Sequence, residues 1–192
     1  MNISLENLVN AAKNGQLVSF PTDTVPALAS LPEKAELIFN AKQRSLDKPL
    51  ILMASKAEDL WDYVIGNPEE LSVWQNIMNE HWPGALTLVL PASKKVPPVM
   101  NPHDITTIGV RVPNHTIAQN ILAKTGPLAT TSVNLSGQPA LETLAEITTY
   151  FPEVITLSSV EYKGLGIPST VAKWTNNSWE ILRQGGIKLI DN

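Results

Sequence analysis

The sequence predicts an α/β fold in which a mixed, twisted β-sheet is flanked by helices, in a single domain of residues 1–192. Short apolar segments typical of buried strands alternate along the chain with amphipathic segments typical of helices. No internal repeat, low-complexity tract or linker interrupts this alternation. A chain of 192 residues is long enough to bury one hydrophobic core and still form a functional cleft.

The first elements are marked by their end signals. Ser4 is a suitable N-cap for a helix that Gly15 stops, and residues 17–20 form a buried strand that ends at Pro21. Thr143 and Glu146 have the spacing of a capping box, so a short helix begins there. Further helices are predicted near residues 35–41, 56–63, 69–81 and 117–124. Further strands are predicted near residues 49–53, 87–90, 108–112, 128–132, 154–157, 169–174 and 179–182, and the proline-rich segment 91–102 is predicted to be a loop.

Composition excludes several classes of protein. The net charge is −4, which argues against non-specific coating of nucleic acid. The chain has no cysteine and only three histidines, so we expect neither disulfides nor a structural zinc site. The N-terminus lacks the pattern of a signal peptide, and no apolar run is long enough to span a bilayer. We therefore expect a cytoplasmic protein without membrane contact.

Polar residues follow apolar segments at three places, in residues 22–24, 130–134 and 168–170. Because the carboxyl ends of strands in an open α/β sheet converge on a crevice, hydroxyls and amides there could bind a small polar ligand. The alternative is that these residues only form turns and helix caps.

Basic residues provide a second indication. Lys42, Arg44 and Lys48 form a cluster, and on an extended segment Lys42 and Arg44 would point to the same side. The alternative for such a cluster is a solvated surface. Arg111 differs because it lies in an apolar strand, where a buried guanidinium needs an anionic partner. That partner is either a structural carboxylate or a bound anion, and the residues leave both open.

Several common motifs are missing. The sequence contains no phosphate-binding P-loop, no dinucleotide-binding glycine fingerprint and no nucleophile elbow. No residue is identifiable as a general base or acid. Hydroxyls, an amide and cations without a general base favour binding and electrostatic catalysis. Transfer of a nucleotidyl group with Mg²⁺ is chemistry of that kind.

Seven ordered segments resemble the signature segments of the YrdC/TsaC family. They are residues 21–25, 42–50, 82–87, 110–115, 131–137, 168–171 and 181–185. Each is weakly specific alone, but seven in this order form a strong signal, and together they span residues 21–185, nearly the whole chain. The resemblance implies a YrdC-like twisted sheet around a concave, electropositive cavity, in the short single-domain form of the family.

The resemblance also implies an activity. Such enzymes are nucleotidyltransferases that make threonylcarbamoyl-AMP and pyrophosphate from L-threonine, bicarbonate and ATP with Mg²⁺. A separate threonylcarbamoyl transferase complex then modifies an adenosine of tRNA. The open alternatives are a YrdC-like paralogue that binds RNA or nucleotide without robust synthesis, and a pure RNA-binding module. The 14 basic residues are outnumbered by 18 acidic ones, which favours the enzyme and leaves direct tRNA contact open.

Roles for individual residues follow from the resemblance. Thr22, Arg111 and Ser169 would bind threonine. The residues that would bind ATP are Lys42, Arg44, Lys48, Ser132, Asn134 and Arg183. No protein ligand for the metal is expected, because ATP carries the Mg²⁺. One departure affects the cavity wall: Pro26 and Ala27 replace the Tyr-Gly of the family, so amino-acid selectivity could differ.

Overall fold

The fold is described here from a computed structural model covering residues 2–158, 160 and 164–189. Within these residues, ten strands form one mixed sheet in the order β1-β8-β2-β3-β7-β4-β6-β5-β9-β10. The strands are β1 (Asn2–Ile3), β2 (Val18–Phe20), β3 (Ala27–Ser30), β4 (Ile51–Met53), β5 (Leu86–Pro91), β6 (Thr107–Arg111), β7 (Leu128–Ser132), β8 (Ile155–Leu157), β9 (Thr170–Thr175) and β10 (Ser178–Arg183). The predicted α/β class with a mixed sheet is confirmed.

Five α-helices accompany the sheet in the described part of the chain. They are α1 (Leu5–Lys13), α2 (Glu36–Lys42), α3 (Pro68–His81), α4 (Thr116–Thr125) and α5 (Leu144–Tyr150). Short 3-10 helices cover Pro32–Lys34, Ala57–Tyr63 and Pro98–Met100. The described residues include no helix with the length and apolarity needed to cross a membrane.

Helix ends follow the predicted capping chemistry. The Ser4 side chain accepts a hydrogen bond from the backbone N–H of Asn7 at the start of α1. Thr143 and Glu146 form the reciprocal capping box at the start of α5. The predictions at these two positions are confirmed because a side-chain oxygen satisfies a backbone N–H that the helix itself leaves free.

The sheet has two different faces because successive side chains on a strand alternate. On one face, Leu52, Leu88, Val110 and Ala172 are at most 1% exposed and belong to the hydrophobic core. The alternate residues of the same strands face a cavity, and they are Ile51, Met53, Thr87, Val89, Gly109, Arg111, Val171 and Lys173. The pleat of β4, β5, β6 and β9 therefore separates the core from the candidate site.

The structure differs from the local predictions at three places. Strand β3 was not predicted, because Ala27–Ser30 contains no β-branched or aromatic residue and becomes a strand only through pairing with β2 and β7. The expected helix near residues 56–63 is a 3-10 helix. Lys42 and Arg44 do not lie on an extended segment: Lys42 ends α2, and Gln43 adopts a left-handed conformation with φ of 48°.

Candidate functional site

A cavity of about 880 Å³ opens on the face of the sheet opposite the core. Its floor is formed by alternate residues of β4, β5, β6, β7 and β9, and its walls by the turns that follow β2 and β7 and precede β9. Of the predicted site residues, the cavity is lined by Thr22, Arg44, Arg111, Ser132, Asn134, Ser169 and Arg183. Lys42 and Lys48 are the predicted residues outside this lining.

Arg111 is anchored at one end of the cavity. It is the last residue of β6 and only 4% exposed. Its Nη2 donates to Oδ1 of Asp23 over 2.6 Å, its Nη1 to Oγ1 of Thr24 over 2.9 Å, and its Nε to the carbonyl of Gly84 over 3.1 Å. The buried guanidinium thus has a structural carboxylate as its partner. Three of its five N–H donors are used by these bonds, which leaves two for a ligand.

The electrostatics of this end favour an anion. Burial lowers the pKa of Arg111, the carboxylate of Asp23 raises it, and the nearby charge of Arg183 lowers it again. A guanidinium stays protonated in spite of such effects. This end therefore carries two guanidinium groups, of which Arg111 alone is paired with a carboxylate, and a carboxylate of a ligand would balance the excess positive charge.

Arg183 and Ser169 are held together at the same end. Nε and Nη2 of Arg183 donate to the carbonyl of Ser169 over 3.1 and 2.9 Å. The hydroxyl of Ser169 lies 2.8 Å from that of Thr87 on β5. The backbone that follows Arg183 approaches Pro168 closely and requires glycine at position 185, because a Cβ there would lie 2.2 Å from the carbonyl oxygen of Pro168.

Thr22 contributes to this end through the turn after β2. Its hydroxyl donates to the carbonyl of Val25 over 2.7 Å and accepts from the backbone N–H of Thr24 over 3.2 Å. The side chain is only 1% exposed. Thr22 therefore shapes the turn that carries Asp23 and Thr24, both of which contact Arg111.

Lys42 lies at the opposite end, beneath the lining. It is fully buried, and its Nζ donates to the carbonyl of Ser132 and, over 2.9 Å, to Oδ1 of Asn134. Burial, with smaller contributions from Arg44 and Lys48, lowers the pKa of Lys42 to about 7. A lysine that is only partly protonated at neutral pH gains its full charge when an anion arrives nearby.

Ser132 and Asn134 present their polar groups above Lys42. The Ser132 hydroxyl donates to Oδ1 of Asn134 over 2.5 Å, and the amide nitrogen of Asn134 donates to the carbonyls of Leu135 and Gln138. The network fixes the orientation of the Asn134 amide from both sides. Lys42 thus positions the two residues that line the cavity.

Arg44 faces the cavity from the loop after α2. Its Nε donates to the carbonyl of Lys48 over 3.0 Å and its Nη2 to that of Pro49 over 2.9 Å. The side chain of Lys48 is exposed and lies outside the lining. Lys48 thus contributes a backbone carbonyl that holds Arg44, and it is not among the residues that line the cavity.

The structure places Arg183, which is predicted to bind ATP, on Ser169 at the Arg111 end of the cavity. One further expectation needs correction. Ser169 does not follow a strand: it immediately precedes β9, which begins at Thr170 and runs parallel to β5. In a mixed sheet the amino end of one strand can therefore meet the same cavity as the carboxyl ends of others.

The predicted roles leave out several residues at the site. Thr87 lies in the lining and Asp23 lies between the lining residues Thr22 and Thr24; both belong to recognised motifs, and their polar character next to buried strands was an available signal. The remaining polar lining residues are Thr24, Asp47, Asn101, His103, Asp104, Thr107, Thr130, Thr131, Gln138 and Lys173. Most of them are ordinary loop residues by pattern, and only the tertiary fold brings them to the cavity.

The fold and the cavity define an α/β domain with one cationic group of residues at each end of a single cavity, an arrangement that suits small anionic ligands. A family model for Sua5, YciO and YrdC, described as "Telomere recombination", matches residues 10–185. The chain belongs to the Sua5/YciO/YrdC family, which confirms the resemblance of its motifs.

Individual relatives carry a common name. The chain is 35% identical to the threonylcarbamoyl-AMP synthase of Pyrococcus abyssi, over 92% of this chain and 52% of that protein. It is 31% identical to that of Vibrio parahaemolyticus, over 95% of this chain and 99% of that protein. The chain spans about half the length of the Pyrococcus abyssi and Bacillus subtilis proteins it matches.

Solved structures share the fold. Pyrococcus abyssi Sua5 complexed with L-threonine superposes with a TM-score of 0.84 at 32% identity, covering 97% of this chain and 56% of that one. Escherichia coli YciO superposes with a TM-score of 0.80 at 26% identity, covering 94% and 88% of the two chains.

Proposed function

We propose that this protein is a threonylcarbamoyl-AMP synthase that joins L-threonine, bicarbonate and ATP to form threonylcarbamoyl-adenylate and pyrophosphate. The observation that carries the proposal is one cavity with cationic residues at both ends. The names of the relatives at 31–35% identity support the same activity. The volume of about 880 Å³ is within the range of sites for ligands of this size.

Threonine would bind at the end formed by Arg111, Ser169 and Arg183. Its carboxylate would take the free N–H donors of Arg111, and its hydroxyl would find the Ser169 and Thr87 hydroxyls, which lie 2.8 Å apart. A site that pairs with a substrate hydroxyl discriminates strongly against an analogue without it. The L-threonine complex of the Pyrococcus abyssi structure supports threonine as the amino acid.

ATP would bind at the other end. Arg44, Ser132 and Asn134 line the wall there, and Lys42 lies directly behind the last two. A planar guanidinium and a lysine ammonium are the cations that proteins use for phosphate groups. The partly protonated Lys42 would become fully charged as the triphosphate approaches.

The reaction needs positioning and charge stabilisation more than acid–base groups. Threonine amine and bicarbonate lose water to form a carbamate, and a carbamate oxygen displaces pyrophosphate from the α-phosphorus of ATP. Fixed cations at both ends would hold the two reactants in line and stabilise the charge on the phosphates.

Magnesium would enter with the nucleotide. The described residues include no group of three or more His, Asp or Glu that could hold a metal ion. The two carboxylates of the lining, Asp47 and Asp104, already accept hydrogen bonds from Ser45 and Thr106. The residues present therefore fit a metal that is held mainly by phosphate oxygens and water. The bound Mg²⁺ would neutralise charge on the phosphates.

The product would serve a separate transferase that modifies tRNA, and the protein would act in the cytoplasm. The net charge of −4 gives no support to a pure RNA-binding role.

Pyrophosphate release tests the proposal. The protein with ATP and Mg²⁺ should release pyrophosphate only when threonine and bicarbonate are both present. Omission of either should reduce the rate to background. Release without threonine and bicarbonate would rule out the synthase and indicate a different ATP-cleaving activity. No release at all would rule out the synthase and favour a paralogue that only binds nucleotide.

A further inference from the structure

The two ends of the cavity are separated by one row of residues across the sheet. The strand register places Thr130, Ile51, Gly109, Val89 and Lys173 side by side on β7, β4, β6, β5 and β9. All of them line the cavity. Arg111 is two residues farther along β6 on one side of the row, and Ser132 is two residues farther along β7 on the other. A product that bridges the two ends must cross this row.

Gly109 is the one member of the row that has no side chain. Its neighbours Ile51 and Val89 lie on the adjacent strands on either side, so they are roughly 10 Å apart. The row therefore has a notch at its centre, between two apolar side chains, where a ligand can approach the backbone of β6.

Neither backbone conformation nor packing explains this glycine. Its φ is not positive, unlike those of Gly15, Gly126, Gly137 and Gly166. A Cβ at Gly109 would meet Ile51 Cγ1 and Thr87 Cγ2 at 3.5 Å, which is ordinary van der Waals contact. In a strand interior a glycine is less favourable than alanine, so its presence there indicates that a ligand approaches the backbone closely.

We propose that Gly109 contacts the reacting centre, and that its notch holds the junction between the threonylcarbamoyl group and the α-phosphate. This inference rests on the proposed function and adds the place where the two reactants meet. The new bond joins a carbamate oxygen to the α-phosphorus, and the bond to the pyrophosphate oxygen breaks. Both groups are compact, so they fit a gap one side chain wide.

A side chain at position 109 would keep the two ends intact but prevent the reactants from meeting. We expect Gly109→Ala to slow pyrophosphate release by roughly tenfold and Gly109→Val by roughly 100-fold or more, because small displacements of reacting groups have effects of this size. Threonine alone and ATP alone should bind within about twofold of wild type by isothermal titration. The thermal midpoint of the unliganded variants should be unchanged or about 1–3 °C higher.

Gly186→Ala and Gly186→Val are matched controls, because a Cβ at Gly186 meets nothing within 4 Å and the residue lies outside the lining. They should release pyrophosphate at the wild-type rate. Wild-type rates in Gly109→Val would overturn the inference, and so would a lower thermal midpoint in Gly109→Ala, which would indicate a packing role. Loss of threonine binding or of ATP binding in the separate titrations would also overturn it, since Gly109 would then be part of the binding site of that one substrate. If the wild type itself releases no pyrophosphate, the proposed function fails instead.

Discussion

The Nζ of Lys42 lies 2.9 Å from Oδ1 of Asn134, 92 positions later in the chain. This bond joins the end of α2 to the turn after β7, so two distant motifs support one wall of the cavity. Because Lys42 is buried beneath that wall, its charge is costly to the unliganded protein, and the proposed function uses that charge when phosphates arrive.

The substitution Lys42→Met should stabilise the unliganded protein more at low pH than at high pH. The folded pKa of Lys42 is about 7, below the usual 10.5. Below pH 7 both folded and unfolded states are protonated, so the folded state bears the full burial cost. Between pH 7 and 10.5 the unfolded state binds more protons, so wild-type stability rises with pH.

The free energy of unfolding of Lys42→Met minus that of wild type should therefore fall by roughly 4 kcal/mol between pH 6 and pH 10. Urea unfolding at the two pH values measures this difference, and other titrating groups cancel in the comparison. A difference that does not change with pH would contradict the lowered pKa. The same variant should lose ATP binding.

Arg183→Gln should weaken the use of threonine rather than ATP. Arg183 is held on Ser169 at the Arg111 end, so its loss removes positive charge where the threonine carboxylate would bind. We expect the KM for threonine to rise by roughly tenfold or more and the KM for ATP to change less than twofold. Lys188→Gln removes an exposed cation outside the cavity and should change neither value. A selective rise in the KM for ATP would indicate that Arg183 binds the nucleotide instead.

Asp23→Asn and Arg111→Ala should have different effects. Removing the Asp23 charge leaves the buried Arg111 without its counter-ion, which should lower the free energy of unfolding by about 3 kcal/mol. Threonine affinity should persist, because the guanidinium remains. Arg111→Ala should weaken threonine binding as well as stability. Denaturant unfolding combined with threonine titration separates the two, and loss of threonine binding in Asp23→Asn alone would contradict this division of roles.

Gly185→Ala should destabilise the protein, while Gly186→Ala should not. A Cβ at Gly185 would lie 2.2 Å from the carbonyl of Pro168, whereas a Cβ at Gly186 meets nothing within 4 Å. The cost of moving backbone at Gly185 should be about 2 kcal/mol or more. Thermal unfolding of the two variants tests this, because the substituted glycines are neighbours in the chain. Equal thermal midpoints would contradict the close contact between Gly185 and the backbone of Pro168 and Ser169.

The sequence predicts the helix caps and strands whose cause lies within a few residues along the chain. Caps at Ser4 and Thr143 and the strand at residues 128–132 were predicted because each signal lies within a few residues of its effect. The order of motifs identified the family. Strand β3 was missed because its stability comes from two partner strands, and alanines carry no signal of their own.

The grouping of site residues required the tertiary structure. Nothing in the sequence indicates that Arg183 bonds to Ser169 or that Lys48 lies outside the cavity lining. The partner of Arg111 is Asp23, 88 positions earlier, and sequence reasoning could only state that an anion was needed. Such pairings depend on strand order, which spacing along the chain does not specify.

The central claim is that one cavity joins threonine, bicarbonate and the adenylyl group of ATP. Its most direct measurement is product analysis after incubation with ¹⁴C-bicarbonate, α-³²P-labelled ATP, Mg²⁺ and threonine. The account predicts a single threonine-dependent product that carries both labels and is absent with Lys42→Met and Arg111→Ala. Formation of labelled AMP without ¹⁴C, or no doubly labelled product from the wild type, would contradict it.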